Sequence, residues 1–352
     1  MLHELGEPQA ALPAVHVVGT NGKSTTTRMT AALLADAGLA VGAYTSPHVS
    51  GWEERIQIRG ECADFERAIA RVRPAAERTG ATQFEVLTAA ALAAFAAEGV
   101  DAAVVEAGLG GRYDATNVLD ARVVVLTNVS LEHTHVLGNT RAAIAAEKLA
   151  VVRPGAVVVT GEPEWEEAAR AARAARVDVT ARSNLALAVA AAEAFLGRAV
   201  DPRAAETVAL PGRLERRGES PLEIWDGAHT LAGLGWLLPR LPTAHYVVVA
   251  SMLNDKDAEA MLAALRALGD TFVATQSSNA RALRAPDLAA LARRRFRYVE
   301  AVADPVEGAA RGRDLAGETG ALLVTGSLYL LADLHAATPS PSASDAYHDA
   351  VR

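Results

Sequence analysis

Short β-branched runs alternate with longer Ala/Leu-rich stretches along nearly the whole chain, and this alternation restricts the fold more than any other feature. Residues 15–18, 40–44, 102–105, 123–126 and 156–160 read as strands. Between them, residues 24–37, 65–76, 84–97 and 140–151 carry apolar side chains at helical spacing, the first stretch stopped by Gly38. The runs at 102–105 and 123–126 are apolar at every position, as strands covered on both faces are. Strand–helix–strand order of this kind gives βαβ units and a mainly parallel sheet. A helix at 184–196 leads to a break at Pro211-Gly212, beyond which a second series opens with strands at 222–225, 246–250, 272–274 and 322–324. The expected division is 1–212, 213–336 and 337–352, with the junction inside 211–217. The last stretch, ATPSPSASDAYHDAVR, has no periodicity and is expected to be a disordered tail.

A length of 352 residues suffices for two domains with sizeable cores. A formal charge of −8 and 5% aromatic residues argue against a general nucleic-acid binder, which needs a basic stripe and stacking rings. The single cysteine, Cys62, excludes a disulfide framework and a multi-thiolate zinc site, and it fits a reducing cytoplasm. The opening MLHELGEPQAALP lacks the apolar core of a signal peptide. The apolar stretches near 89–97 and 185–195 fall short of the ~20 residues that span a membrane. A soluble cytoplasmic protein without membrane or nucleic-acid partners is expected. Among 34 basic residues only Lys23, Lys148 and Lys256 are lysines. Arg serves on most solvated surfaces, so a retained Lys marks a site needing a compact ammonium or a modifiable amine.

The strongest local signal is VHVVGTNGKSTT, residues 15–26. A strand, a Gly-containing turn, a Lys and a hydroxyl opening a helix describe a cradle for phosphate. Backbone N–H groups at the helix N-terminus face the anion, Lys23 adds a point charge, and Ser24 can bond phosphate or its metal. The generic phosphate-loop pattern has Gly five residues before Gly22; Val17 stands there, so the loop is a shortened form. Glu106 ends a buried strand at the carboxyl edge of the sheet, where open α/β folds place ligands. A carboxylate there suits Mg²⁺, although a lone Glu at a strand end is more often a charged cap.

The shortened loop GTNGKST resembles that of the Mur ligases, which form amide bonds using ATP. Tyr44-Thr45-Ser46-Pro47-His48-Val49, followed by Glu54-Arg55-Ile56, narrows the resemblance to the folylpolyglutamate synthase/dihydrofolate synthase branch. The loop GLGGRYDATN, residues 108–117, is the most family-specific match. Leu131-Glu132-His133-Thr134, Glu147-Lys148, Pro211-Gly212-Arg213, Asp226-Gly227-Ala228-His229, Asp255-Lys256-Asp257 and Thr325-Gly326-Ser327-Leu328-Tyr329 follow in the family's order. The likeness therefore runs from about residue 14 to 333.

The resemblance implies an α/β protein: a central P-loop ATPase domain of Mur-ligase type with a mainly parallel sheet, and a smaller Rossmann-like C-terminal domain. It implies ATP contacts from Thr20, Asn21, Gly22, Lys23 and Ser24, from Asn184, and from Arg213, Asp226 and His229 in the second domain. It also implies two Mg²⁺ sites drawing on Ser46, Glu106, His133 and Lys148, the lysine carbamylated. Addition of CO₂ to a neutral amine turns a cation into an anionic oxygen ligand, a conversion closed to Arg. Burial or cationic neighbours that lower the lysine pKa would assist it. Lys23, Glu106, His133 and Lys148 then form the catalytic set. Thr82, Gln83 and Phe84, with Tyr113, Asp114 and Ala115, align with pterin-binding segments. Without the resemblance, His133 reads as a satisfied polar group, Ser46-Pro47 as a turn, and Lys148 as a surface residue of a helix.

The implied reaction is ATP-dependent addition of L-glutamate to a folate carboxylate, extending to dihydropteroate, by a monomer whose two domains close on ATP about a hinge near 211–217. Three departures stand out: Thr230 follows DGAH where the family has Asn, Glu132 replaces Asp, and GKST replaces GKGS. Eighteen residues precede Gly19 against the family's several dozen, and LHELGEPQ resembles the end of that longer segment. The expectation is a start internal to a longer gene, with dihydropteroate binding weakened if it is not. A cell-wall Mur synthetase would need a whole UDP-sugar domain ahead of the loop. A Mur-type ligase for another acceptor, or a non-catalytic nucleotide-binding paralogue, are the remaining alternatives.

Overall fold

The structure is a computed structural model and describes residues 1–337. Residues 338–352, nearly all of the stretch read as a tail, lie outside the described residues. The chain divides into two compact units: residues 1–48 with 52–208, and residues 49–51 with the described residues from 209 onward.

The first unit is built on eight strands: β1 (Ala14–Val18), β2 (Val41–Tyr44), β3 (Ile56–Ile58), β4 (Glu61–Cys62), β5 (Ala102–Glu106), β6 (Ala121–Leu126), β7 (Val157–Thr160) and β8 (Arg176–Val179). They lie in the order β4-β3-β2-β5-β1-β6-β7-β8. From β2 to β8 every pairing is parallel, while β3 and β4 form an antiparallel hairpin at one edge. Arg59 and Gly60, both at positive φ, make the tight turn of that hairpin.

Seven helices position the site: α1 (Lys23–Asp36), α2 (Phe65–Thr79), α3 (Gln83–Ala97), α4 (Thr134–Leu137), α5 (Arg141–Leu149), α6 (Glu166–Ala171) and α7 (Asn184–Leu196). Successive strand residues face opposite sides, so the sheet feeds two cores. Val15 and Val17 pack with Leu33 and Leu34 of α1 and with Leu187 and Ala191 of α7. Ala14 and Val18 pack instead with Leu92 and Phe95 of α3 and with Ile144 and Leu149 of α5. Cover on both faces is why β1 and β5 are buried at all five positions and apolar at nearly every one. Gly42 lets α3 come close, since a Cβ there would stand 2.5 Å from the Phe95 ring.

The second unit carries β9 (Glu215–Glu219), β10 (Leu222–Trp225), β11 (Tyr246–Ala250), β12 (Thr271–Ala274), β13 (Tyr298–Ala301) and β14 (Ala321–Thr325). Their order is β13-β12-β11-β14-β10-β9, parallel except for β9. Helices Leu231–Leu237, Ala258–Leu265, Ala285–Ala292, Pro305–Ala316 and Leu328–Ala337 complete this Rossmann-like unit. Two mainly parallel sheets with helical cover are what the alternating pattern predicts. No helix among the described residues is long and apolar enough to cross a membrane.

Candidate active site

Parallel pairing brings the ends of four neighbouring strands of the first unit to one edge. Tyr44 pairs with Val105, Val17 with Glu106, and Val18 with Leu126. The residues at or just beyond those ends are Ser46, Glu106, Gly19 and Thr127. An open parallel sheet presents ligands with this edge.

The turn from β1 into α1 is held from one side by the segment that follows β6. Thr20 N–H donates to the Asn128 carbonyl at 2.9 Å, and Asn21 N–H to Asn128 Oδ1 at 3.1 Å. The Asn128 amide and the Thr127 hydroxyl return bonds to the Asn21 carbonyl at 2.9 and 2.8 Å. Ser130 N–H donates to Thr20 Oγ1 at 3.1 Å. Two glycines make this approach possible. Gly22 caps α1 at φ 80°, and a Cβ there would collide with Asn184 at the start of α7. Gly19 lies at φ 149°, and a Cβ there would collide with Thr127 Oγ1. Gly19→Ala is therefore expected to lower stability by about 1–3 kcal/mol and to weaken nucleotide binding, measurable by thermal melt and ADP titration. Unchanged values for both would refute this close-approach account.

Glu106 is buried, and its two carboxylate oxygens divide their work. Oε1 accepts from Ser24 Oγ at 3.1 Å and Oε2 from Ser46 N–H at 2.9 Å. The Ser46 loop is itself braced by Arg28 of α1, which donates to Thr45 Oγ1 at 3.1 Å and to the Glu54 carbonyl. Lys148 on α5 is only 3% exposed, and its ammonium donates to the Gly19 carbonyl at 2.7 Å. Burial, reinforced by the charge of Lys23, lowers the Lys148 pKa to about 7. Lys23 Nζ reaches the Thr20 carbonyl at 3.1 Å. His133 stands at φ 49° as the N-cap of α4, with Nε2 3.7 Å from Glu132.

Hydroxyl and carboxylate oxygens from Ser24 and Glu106 fit Mg²⁺, which keeps several waters and takes phosphate oxygens. Among the described residues no three His, Cys, Asp or Glu side chains gather as a metal cage. A hydroxyl and a carboxylate side by side suit an ion delivered with a nucleotide.

Thr82 and Glu85 form a reciprocal capping box at the start of α3, Gln83 opens the helix beside them, and Phe84 packs its ring over Gly108. Tyr113, at 89% exposure, projects from the 108–117 loop. Asp114 turns inward, beside Ala115, and organises that loop. It accepts from Leu109 N–H at 2.8 Å, Thr116 N–H at 3.0 Å and the Thr116 hydroxyl at 2.5 Å. Thr116 in turn meets the buried His16 of β1, Nε2 to Oγ1 2.7 Å. Because the hydroxyl proton goes to the carboxylate, His16 must be the donor through Nε2. Burial lowers the His16 pKa to about 4, which keeps the ring neutral.

In the second unit Asp226 directly follows β10, buried, with its carboxylate accepting from Leu214 and Ala228 N–H, both at 2.9 Å. Burial raises its pKa. Arg213 donates to the Gly212 carbonyl at 3.0 Å, and His229 Nδ1 lies 2.8 Å from the Gly227 carbonyl. Gly227 N–H bonds the Gly212 carbonyl at 2.9 Å, so these segments form one knot within the unit. Lys256 sits 3.5 Å from Asp255.

Sequence reading overlooked Thr127 and Asn128, whose side chains hold the loop at Asn21, and Ser130, whose N–H donates to Thr20 Oγ1. A Thr-Asn pair after a strand reads only as a turn.

Comparison with known proteins extends this geometry. The family model for the Mur ligase middle domain matches residues 17–193. The dihydrofolate synthase/folylpolyglutamate synthase of Mycobacterium tuberculosis is 34% identical, the match covering 92% of this chain and 85% of the relative. The solved structure of Mycobacterium tuberculosis folylpolyglutamate synthase complexed with ADP superposes with a TM-score of 0.86 at 31% identity, covering 97% of this chain and 93% of that one. A bifunctional folylpolyglutamate synthase/dihydrofolate synthase from Yersinia pestis, complexed with AMPPNP and Mn ion, gives a TM-score of 0.84 at 28% identity, covering 96% and 91%.

Proposed function

The chain belongs to the Mur ligase family, in the folylpolyglutamate synthase/dihydrofolate synthase branch, and on that premise we propose that it adds L-glutamate to folates through an acyl phosphate. It is an ATP-dependent, amide-forming ligase. The observation that carries the residue assignments is the meeting of the Gly19–Ser24 turn, Glu106 and Lys148 at one sheet edge.

The acceptor carboxylate takes the γ-phosphoryl group of ATP, releasing ADP and giving an acyl phosphate; the glutamate amine then attacks the activated carbonyl, and phosphate and the amine proton leave as the amide forms. Covalent participation by the protein is not required; positioning and charge neutralisation suffice. Loop N–H groups and Lys23 would hold the phosphates, and Ser24 with Glu106 would hold their Mg²⁺. That ion, when bound, neutralises charge on the transferring group. Ser46 supplements the first metal position, and His133 with a carbamylated Lys148 serves a second. The lowered pKa of Lys148 supports this, because only the neutral amine takes up CO₂. Asn184, Arg213, Asp226 and His229 contact ATP, and Thr82, Gln83, Phe84, Tyr113, Asp114 and Ala115 form the pterin-side surface. We assign residues 1–212 and 213–336 to the ATPase and C-terminal domains of a cytoplasmic monomer with small-molecule partners only.

A paired assay tests the reading. Phosphate release from ATP is expected to require both L-glutamate and either tetrahydropteroylglutamate or dihydropteroate. Release with ATP alone, or none with either acceptor, would sink it.

A further inference from the structure

Glu162 is a buried carboxylate that the chemistry above leaves unused. It follows β7 by two residues, and four donors converge on it. Oε2 accepts from Val129 N–H at 3.0 Å, the Trp165 indole at 2.7 Å and Arg141 Nη2 at 3.3 Å, while Oε1 accepts from Arg182. Arg141, at the start of α5, also donates through Nε to the Val129 carbonyl at 2.9 Å and lies over the Trp165 ring. Gly161 leaves the Arg182 backbone room to pass, since a Cβ there would stand 3.0 Å from its Cα.

Two of the four donors, Val129 and Arg182, belong to segments that touch the phosphate loop. Val129 comes directly after Asn128, which makes three bonds to residues 20 and 21. Arg182 lies two residues before Asn184, which packs on Gly22. A buried carboxylate satisfied by two guanidinium groups and two N–H donors has few alternative geometries, because any other leaves a charge unpaired in a low-dielectric site.

We propose that Glu162 is a positioning residue for nucleotide binding: its carboxylate locks segments 127–130 and 182–184 in one register, so that both meet the loop between Thr20 and Gly22. The inference rests on the reading of residues 19–25 as the phosphate loop. Glu162 touches no reacting atom in this scheme and acts through Asn128 and Asn184.

The experiment measures Kd for a fluorescent ADP analogue, and KM for ATP and for glutamate, in Glu162→Gln, Arg182→Ala and the double variant. Glu162→Gln is expected to raise the nucleotide Kd about tenfold and Arg182→Ala about threefold, with the double variant close to Glu162→Gln alone because the two act through one contact. KM for glutamate should stay within about twofold, since Glu162 acts only on the phosphate loop, whereas a merely structural brace would lower the folded fraction and leave the nucleotide Kd of the folded protein alone. If Glu162→Gln does not fold, Arg182→Ala decides, its side chain being two-thirds exposed. Lys23→Ala runs in parallel. Loss of binding in Lys23→Ala with unchanged Kd in the other variants would overturn this inference alone. Unchanged binding in Lys23→Ala would overturn the loop reading, and this inference with it.

Discussion

Lys148→Arg is expected to give a folded protein whose ligase activity is lower by about a thousandfold or more. The side chain it replaces is buried and donates to the Gly19 carbonyl at 2.7 Å, so a cationic hydrogen bond alone could be kept by Arg. Fitting the guanidinium into a packed site costs about 1–3 kcal/mol, which lowers the melting temperature without unfolding a unit of this size. What Arg cannot do is lose its proton near neutral pH and accept CO₂. Burial and the neighbouring charge of Lys23 put the native lysine at about 7, where a neutral amine is abundant. Circular dichroism and glutamate-dependent phosphate release on the purified variant decide the matter. A fully active Lys148→Arg enzyme removes the carbamate from this account.

Glu106→Gln is expected to cost about 10²–10³ in turnover, with the loss concentrated in the Mg²⁺ dependence. The amide preserves the shape of a buried side chain, so the variant should fold. Its amide oxygen can still accept from Ser46 N–H, at 2.9 Å in the native protein, while its NH₂ donates to Ser24 Oγ, at 3.1 Å, with the hydroxyl turned to accept. The substitution removes the only carboxylate charge assigned to the metal beside the phosphate loop. Calorimetric titration with ADP separates the effects. Wild-type affinity should rise when Mg²⁺ is added, whereas the variant's should barely change. A variant that responds to Mg²⁺ as the wild type does would move the ion away from Glu106.

What could be read in advance follows from where physical constraint leaves a pattern in the chain. The central strands β1, β5 and β6 are covered on both faces, so residues 102–105 and 123–126 are apolar throughout and residues 15–18 at every position but His16. Edge strands escape that rule. β8 is Arg-Val-Asp-Val, β9 is Glu-Arg-Arg-Gly-Glu, and both are half exposed, which makes them look like loop. In the candidate site, Lys23, Ser24 and Lys148 stand in distinctive motifs, and Glu106 closes an apolar strand run. Thr127, Asn128 and Glu162 carry no such mark, because their hydrogen bonds run mostly to groups far away in sequence, for which no local spacing exists. Asp114 marks the boundary between the two cases. Its motif is conspicuous, yet the loop-internal bonds to Leu109 and Thr116 become visible only in the fold.

The pairing of β1 with strands on both sides has a consequence for length changes. Glu106 sits opposite Val17, and Leu126 opposite Val18, so the edge that carries the candidate site is a ruler whose marks are single residues. Deleting or adding one residue in β1, β5 or β6 would turn side chains to the opposite face and carry Glu106 or Thr127 away from the phosphate turn. The β3–β4 hairpin has no such burden, since its turn at Arg59-Gly60 is exposed and both of its pairings lie toward one edge. Tags, grafted peptides and reporter insertions belong there, and frame-preserving tolerance along this chain should fall off steeply toward the centre of the sheet.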